Sequence, residues 1–297
     1  MVKLPNSRLA QGAALPANTS GAREFAFSAA DFDRVRRLIF ERAGIALNVS
    51  KQSMVYSRLA RRLRTLRMDS FVSYLDALEQ DSGNEWEQFV NSLTTNLTSF
   101  YREAHHFQIL TEHLRRLKDR SRIDIWCCAS STGEEPYTLA IAAMEAFGTM
   151  APPVRILATD IDTRVLETAR NGVYRDEVTE KLSPELLHRY FLRGNSAKTG
   201  YVRLRNEVMR LVTFRQLNLL DATWPISSRF SAIFCRNVMI YFDKATQYRI
   251  LQRFVPLLES DGLLFAGHSE NFSYARDLFE SRGQTTYALA SLGAKNG

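Results

Sequence analysis

From Arg120 onward the chain alternates short apolar runs with helical patterns, and this alternation constrains the fold more than any other feature. Near-continuous apolar strands separated by helices are typical of a parallel sheet that is buried on both faces. We therefore predict a mainly parallel α/β domain over residues 93–297. Residues 172–212 interrupt the alternation with polar and charged pieces, which predicts a small inserted subdomain containing a helix and one or more short strands. The four apolar runs are IDIWCCA (123–129), VRILAT (154–159), FSAIFC (230–235) and LLFAG (263–267).

The preceding part of the chain predicts a separate all-helical unit over residues 26–92. Its first helix begins at Ser28 and ends at Gly44, a residue type that commonly follows a helix. A second helix is predicted over about 53–67, with shorter helical patterns at 71–78 and 86–93. Residues 1–25 contain Pro, Gly, Asn and Ser without periodicity and are interpreted as a mobile tail. Apolar residues recur at spacings of three and four in the first helix at Phe32, Val35, Leu38 and Ile39.

The composition narrows the class of protein. Apolar residues make up 45% of the chain, too many for intrinsic disorder of its bulk. No uninterrupted apolar segment is long enough for a membrane span, and the first twenty residues lack the apolar stretch of a signal peptide. The three cysteines form no CxxC pair, so neither a disulfide framework nor a zinc site is indicated. These features favour a protein of the reducing cytoplasm.

The net charge of +7 indicates acidic partners, which include nucleic acid, a membrane surface or the acidic face of another protein. Composition alone does not choose among them. Residues 42–68 contain seven basic residues and no Asp or Glu. This cluster is interpreted either as the solvated face of a helix or as a docking surface for a negatively charged partner.

The residues just after the first two predicted strands are candidates for ligand binding, because ligands of an open α/β sheet bind at the carboxyl ends of its strands. After the first strand, small residues precede Glu134 and Glu135 at the start of a helix. Two carboxylates there disfavour a pyrophosphate and favour a cationic ligand group, although acids also complement a helix dipole. Asp160 ends the second strand, where a carboxylate can hold the two hydroxyls of a ribose; capping of the next helix is the alternative, favoured for Asp162. Together the two sites suggest S-adenosylmethionine.

Five motifs in order resemble the chemotaxis receptor glutamate methyltransferases of the CheR type, a likeness that spans about residues 28–290. The resemblance implies a doubly wound, Rossmann-like S-adenosylmethionine-dependent methyltransferase domain behind a helical domain, with a small β subdomain. It also implies glutamyl methyl esters on chemoreceptors, with S-adenosylhomocysteine as the second product. The motifs are NLTSFYRE (96–103), ASSTGEEPY (129–137), NLL (218–220), FCRNVMIYF (234–242) and GHSE (267–270).

The resemblance also assigns site residues. Arg102 and Tyr241 match the residues nearest the transferred methyl group. Glu135 matches the family's cofactor contact better than Glu134, and both remain candidates. Asp160 matches the ribose ligand. The remaining cofactor-binding matches are Asn96, Thr98 and, again, Arg102 in the interdomain link, Asn218 and Leu219 around the adenine, and Arg236 and Asn237 closing the site.

The implied reaction agrees with the residue types present. A glutamate carboxylate is ionised at neutral pH, so methyl transfer to it needs positioning and no general base. We find no nucleophile–base arrangement and no metal-ligand set, and we interpret the pair His105 and His106 as part of an amphipathic helix. His268, after the last parallel strand, has no assigned role.

The resemblance names a partner as well. The family's substrate is an acidic coiled coil in the cytoplasmic part of a receptor, onto which the arginines of the second helix would steer: Arg58, Arg61, Arg62 and Arg64. In some family members the small β subdomain grips a receptor C-terminal peptide by strand addition. No nucleic acid and no membrane insertion are expected. The rival functions are a nucleic-acid methyltransferase, favoured by the basic charge, and a non-catalytic sensor of the cofactor.

Overall fold

The computed structural model describes residues 23–81 and 83–291, so the tail predicted over residues 1–25 lies almost entirely outside the described residues. The first unit consists of four helices. Apolar residues of all four pack into one buried cluster. The helices are α1 (Ala29–Ala43), α2 (Gln52–Leu66), α3 (Phe71–Gln80) and α4 (Asn84–Leu93).

Local sequence signals set both ends of α1. The Ser28 hydroxyl accepts a hydrogen bond from the Asp31 backbone N–H, while the Asp31 carboxylate accepts one from the Ser28 N–H, forming a capping box. The helix ends at Gly44, which adopts φ +67°, a conformation that favours glycine. The predicted inward residues of this helix, Phe32 and Ile39 among them, are buried.

The second unit is built on a seven-stranded sheet flanked by helices, with a separate sheet of three strands. Its helices are α5 (His105–Arg116), α6 (Glu134–Phe147), α7 (Thr163–Asn171), α8 (Pro184–Tyr190), α9 (Asn206–Arg210) and α10 (Lys244–Phe254). Its strands are β1 (Ile123–Cys127), β2 (Val154–Asp160), β3 (Val173–Arg175), β4 (Phe191–Arg193), β5 (Tyr201–Leu204), β6 (Val212–Gln216), β7 (Phe230–Cys235), β8 (Leu258–Ala266), β9 (Phe279–Gly283) and β10 (Thr286–Leu289).

The main sheet has the order β6-β2-β1-β7-β8-β10-β9. The first five of these strands are parallel, and β10 and β9 add an antiparallel edge. Alternate residues of β1 enter opposite cores: Ile125 and Cys127 pack with α5 and α6, whereas Trp126 packs with α10. The sheet is therefore covered on both faces, and the predicted doubly wound, mainly parallel α/β fold is confirmed.

Three strands of the main sheet lie outside the predicted apolar runs, namely β6, β9 and β10. Strands β6 and β9 are the two edges of the sheet, and each exposes polar side chains, so neither has a continuous apolar run. Strand β8 contains the predicted run but begins five residues earlier, at Leu258, because the polar residues 259–261 interrupt the apolar pattern.

The predicted small β subdomain is also present. Strands β3, β5 and β4 form a three-stranded antiparallel sheet with β5 in the centre. Its inner-face residues Tyr174, Phe191 and Val202 join the hydrophobic cluster of α5 and α6. Within the described residues, every helix is too short or too polar to traverse a bilayer.

Candidate active site

A cavity of about 430 Å³ lies at the carboxyl ends of β1, β2 and β7, and the helical unit covers it. Residues from Ala43, the last of α1, to Met54, in the first turn of α2, contribute to its wall together with the connection between the two units. Ten of the eleven site residues predicted from the sequence line this one cavity, the exception being Glu134. Those ten are Asn96, Thr98, Arg102, Glu135, Asp160, Asn218, Leu219, Arg236, Asn237 and Tyr241.

The loop between β1 and α6 separates the two adjacent glutamates. The Glu134 carboxylate accepts a hydrogen bond from the Thr132 hydroxyl at 2.6 Å, and burial raises the pKa of Glu134. Glu135 lines the cavity and accepts hydrogen bonds from the Arg236 guanidinium at 2.5 Å and from the Cys127 thiol at 3.3 Å. Because consecutive residues of a helix point in different directions, only Glu135 of the two candidate glutamates faces the cavity.

Asp160 ends β2 as a buried carboxylate held by backbone donors. One of its oxygens accepts from the Ser131 N–H at 2.8 Å and the other from the Asp162 N–H at 3.0 Å. Burial raises the pKa of Asp160 to about 6, although these N–H donors favour the charged form. A carboxylate has about four acceptor positions, so this group retains capacity for further hydroxyl donors in the cavity.

Asp162 is the N-cap of α7, as the sequence suggested, and it also fastens the connection between the two units. Its Oδ1 accepts from the Arg164 N–H, while its Oδ2 accepts from the Thr94 hydroxyl at 2.8 Å and from Asn96 Nδ2 at 2.9 Å. The Asn96 carbonyl in turn accepts from the Ser131 hydroxyl. The connection is therefore bonded to the loops after β1 and β2.

Arg236 is a buried cation at the end of β7, and its side chain is fully shielded from solvent. Its guanidinium donates to the Arg102 carbonyl at 2.6 Å and pairs with two carboxylates, Glu135 at 2.5 Å and Glu103 at 3.2 Å. One buried charge thus joins the segment bearing Arg102 to the helix bearing Glu135.

Glu103 completes this network and was missed by sequence reasoning. Besides Arg236 it contacts His268, whose backbone N–H and Nδ1 lie 3.1 and 3.0 Å from its two carboxylate oxygens. Burial alone would raise the pKa of Glu103, but the His268 hydrogen bonds and the Arg236 charge lower it to about 2. The previously unassigned His268 therefore holds the Arg102 segment against the end of β8.

The one possible metal-ligand group in the described residues, Glu103 with His105 and His106, overlaps this network. The Glu103 carboxylate is already bonded to Arg236 and His268. His106 Nε2 lies 2.8 Å from the Gln284 carbonyl, and burial lowers the pKa of His106 to about 4. This group fixes α5 and the Arg102 segment against the sheet.

Glu270 organises the loop after β7 and was likewise quoted only as part of a motif. Its buried carboxylate accepts backbone hydrogen bonds from Asn237, Val238, Met239 and Gly267. This arrangement holds Asn237 at φ +58°, in the left-handed region that is uncommon for a non-glycine residue. The strained backbone directs the loop over the cavity.

Both residues of the proposed catalytic pair, Arg102 and Tyr241, line the cavity. Arg102 Nη1 donates to the Leu97 carbonyl at 2.8 Å, which ties the guanidinium to the interdomain connection. Tyr241 follows β7, and its carbonyl accepts from the Ala46 N–H of the helical unit at 3.0 Å. On the predicted adenine side, Asn218 Nδ2 donates to the Arg42 carbonyl at 3.0 Å. The interdomain connection, the helical unit and the loop after β7 therefore meet around the same cavity.

Two family models together cover most of the chain. The model described as the CheR methyltransferase SAM binding domain matches residues 96–288, and the CheR methyltransferase all-alpha domain matches residues 30–94. The chain belongs to the CheR methyltransferase family. The resemblance proposed from the five motifs is thus confirmed.

Curated CheR relatives match both units. A chemotaxis protein methyltransferase of Escherichia coli (strain K12) is 54% identical over 89% of this chain and 92% of the relative. Chemotaxis protein methyltransferase 2 of Pseudomonas aeruginosa is 51% identical over 93% of this chain and 98% of the relative. A probable chemotaxis protein methyltransferase of Rhizobium etli is 39% identical, with coverages of 86% and 98%. The chain is a methyltransferase whose cofactor is S-adenosylmethionine.

The cavity residues fit that cofactor in their chemistry. The cavity volume lies in the range of small-molecule sites. Asp160 offers an acceptor to a pair of ribose hydroxyls, and Glu135 offers a carboxylate to an ammonium group, with Arg236 limiting the local excess of negative charge. Cys128 and Leu219 contribute apolar wall suited to a purine ring.

The four arginines of α2 differ in whether their guanidinium groups already have partners within the protein. Arg62 pairs with Glu85, and Arg64 with Glu24 at 2.6 Å, so residues outside the acid-free segment neutralise two of the four. Arg58 donates to the Ser92 and Thr94 carbonyls near the end of α4. Arg61 is exposed and makes no ion pair within the described residues. The continuous basic face expected from the sequence is therefore partly an internal ion-pair network.

Proposed function

We propose that this protein transfers the methyl group of S-adenosylmethionine to glutamate side chains of chemoreceptors, forming glutamyl 5-O-methyl esters. The observation that carries the proposal is the meeting of the family's motif residues in one cavity, with Arg102 and Tyr241 beside Asp160 and Glu135. The membership of the chain in the CheR family supports the same reaction. Its three cysteines are unpaired, which supports a cytoplasmic location.

S-adenosylmethionine supplies an electrophilic methyl group on a positively charged sulfur. In the reaction a carboxylate oxygen forms the O–CH₃ bond as the CH₃–S bond breaks, and the anion and the sulfonium become a neutral ester and a neutral thioether. No proton is transferred, so the chain needs no general base. We assign Arg102 to orienting the incoming carboxylate and the Tyr241 hydroxyl to donating a hydrogen bond to the same group, since both residues line the cavity. Because Arg102 is bonded to the Leu97 carbonyl, it positions the carboxylate rather than neutralising it completely.

The reaction is tested by transfer of labelled methyl from S-adenosylmethionine to receptor-containing membranes of the same cell. We expect protein label that alkali releases as methanol, because methyl esters are base-labile. Arg102→Ala should abolish the label, because this residue orients the incoming carboxylate. Label entering RNA would favour the nucleic-acid methyltransferase, and cofactor binding without transfer to receptor would favour the sensor; either result contradicts the proposal.

We infer that receptor docking uses the exposed part of α2, with Arg61 as its principal free charge. Complementary charge mainly accelerates association, and salt screens it. Arg61→Glu should raise the KM for receptor without changing affinity for S-adenosylhomocysteine. The matched control is Arg116→Glu, another exposed arginine near the opposite end of the sheet. Equal effects of the two reversals would show that net charge, and not this face, matters.

The small antiparallel sheet supports a second receptor contact of the kind found in some family members. Strands β3 and β4 are its edges, and an edge strand can accept an extended peptide by main-chain hydrogen bonding. A synthetic peptide of the receptor's last ten or so residues should bind the enzyme with a dissociation constant measurable by calorimetry. Absence of binding would remove this contact and leave the transfer reaction untouched.

A further inference from the structure

The small antiparallel sheet contacts the cofactor loop directly. The Tyr174 hydroxyl, on β3, donates to the Thr132 carbonyl at 2.8 Å, and Thr132 precedes Gly133 in the loop between β1 and α6. Gly133 has φ +101°, and a Cβ at that position would lie 2.8 Å from the Tyr174 hydroxyl oxygen. The tyrosine is therefore seated against the backbone of the loop that leads into Glu135.

The same sheet also contacts the segment bearing Arg102. Phe100, two residues before Arg102, is 4% exposed. Its ring packs edge-on against Tyr174 of β3 at 5.3 Å and against Phe191 of β4 at 5.4 Å between centroids. Directly after it, the Tyr101 N–H donates to the Thr138 hydroxyl of α6. Two strands of the insertion, β3 and β4, thus pack around Phe100, which precedes the residues of the Arg102 segment that line the active site.

We infer that the small antiparallel sheet is a positioning element of the methyl-transfer site, acting through Tyr174 on the cofactor loop and through Phe100 on the Arg102 segment. A peripheral sheet used only to hold a receptor peptide would need neither contact. The backbone next to both contacts is strained: Ser131, one residue before Thr132, has φ +47°, and Tyr101, one residue after Phe100, has φ +53°. Such conformations persist only where surrounding structure holds them, and the sheet supplies part of that support.

Tyr174→Phe tests the first contact, since it removes the hydroxyl and keeps the ring beside Phe100. We expect affinity for S-adenosylhomocysteine, measured by calorimetry, to fall about fivefold, the effect of losing one neutral hydrogen bond. The matched control is Tyr190→Phe, which removes another hydroxyl from the insertion, one that is bonded to Glu145 of α6 and not to the cofactor loop. Both variants should lose thermal stability, but only Tyr174→Phe should lose cofactor affinity.

Phe100→Leu tests the second contact with the Tyr174 hydroxyl retained. We expect kcat to fall by about tenfold, because a small displacement of a positioning group costs rate disproportionately, while the KM for receptor stays within about twofold. The affinity measurement is independent of the proposed receptor reaction, whereas the kcat measurement rests on it. The inference is wrong if Tyr174→Phe binds S-adenosylhomocysteine as tightly as Tyr190→Phe, or if Phe100→Leu changes KM and kcat in equal proportion.

Discussion

Burial makes the negative charge of the Asp160 carboxylate unfavourable when no ligand is bound, whereas hydroxyl donors of a bound ligand stabilise that charge. Its pKa near 6 means that part of the ligand-free protein is protonated at this site in mildly acidic solution. Ribose hydroxyls donate hydrogen bonds and therefore favour the ionised form. Cofactor binding should accordingly be linked to the loss of a proton from Asp160.

The first prediction follows from this linkage. Affinity for S-adenosylhomocysteine should fall as the pH decreases below about 6, because protons then compete with the hydroxyl donors for the Asp160 oxygens. Calorimetric titrations between about pH 5 and 8 measure the slope, which approaches tenfold per pH unit for one linked proton. Asp160→Asn should weaken binding at neutral pH and remove this slope. A wild-type affinity that is constant over this range would contradict the assignment.

The second prediction concerns Glu103, whose carboxylate partly neutralises the positive charge of the fully buried Arg236 side chain. Glu103→Gln leaves that cation with Glu135 as its only carboxylate partner among the described residues, and breaking a buried pair typically costs about 3 kcal/mol of unfolding free energy. Chemical denaturation measures this cost. Glu280→Gln, which breaks the exposed pair with Arg282, is the control and should cost little.

The acid dependence of stability gives a further check on Glu103. Its pKa of about 2 in the folded protein lies below the ordinary carboxyl value, so its contribution is present above about pH 4.3 and is lost as the pH falls toward 2. Glu103→Gln should flatten the stability profile in that acid range. An unaltered profile would show that Glu103 does not stabilise the fold through its charge.

At the scale of secondary-structure elements, the sequence predicted those features that are set by a local residue pattern. The limits of α1 followed from Ser28 and Gly44, and the buried parallel strands followed from their apolar runs. The edge strands β6 and β9 were not predicted, because a half-exposed strand at the edge of a sheet has no continuous apolar run. Glu103 and Glu270 escaped for a different reason: Glu103 meets His268 across 165 residues, and no local spacing signals that contact. Motif resemblance, rather than periodicity, identified most residues of the cavity.

The end of α1 gives the third prediction. Gly44 has φ +67°, and a Cβ there would lie 2.6 Å from Leu220 and 2.9 Å from Phe242, where the helical unit meets the second unit. Gly44→Ala should cost about 2–3 kcal/mol of stability and weaken cofactor binding, because the strain is joined by a clash. Gly148→Ala is a matched control, since Gly148 has φ +64° with open space around it and ends α6. Equal costs would show that the clash is relieved without moving the helical unit.

At the scale of the whole molecule, the cavity exists only where the two units meet. Hydrogen bonds from the Ala46 N–H to the Tyr241 carbonyl, from Asn218 to the Arg42 carbonyl, and from Thr94 to Asp162 all cross this boundary around the cavity. A ligand that fills the cavity contacts both units and stabilises their closed arrangement. Cofactor binding and interdomain closure should therefore be thermodynamically coupled.

Thermal unfolding with and without ligand measures that coupling. S-adenosylhomocysteine at a hundred times its dissociation constant adds about 2.7 kcal/mol to the unfolding free energy, which raises the melting temperature by about 4–5 °C for a chain of this size. Because Trp86 lies in the helical unit and Trp126 in the sheet, fluorescence and calorimetry together report on both units. We expect one transition that shifts as a whole, and a smaller shift for Asp160→Ala at the same ligand concentration. A helical unit that melts separately, at a temperature independent of the ligand, would mean that it does not close over the cofactor.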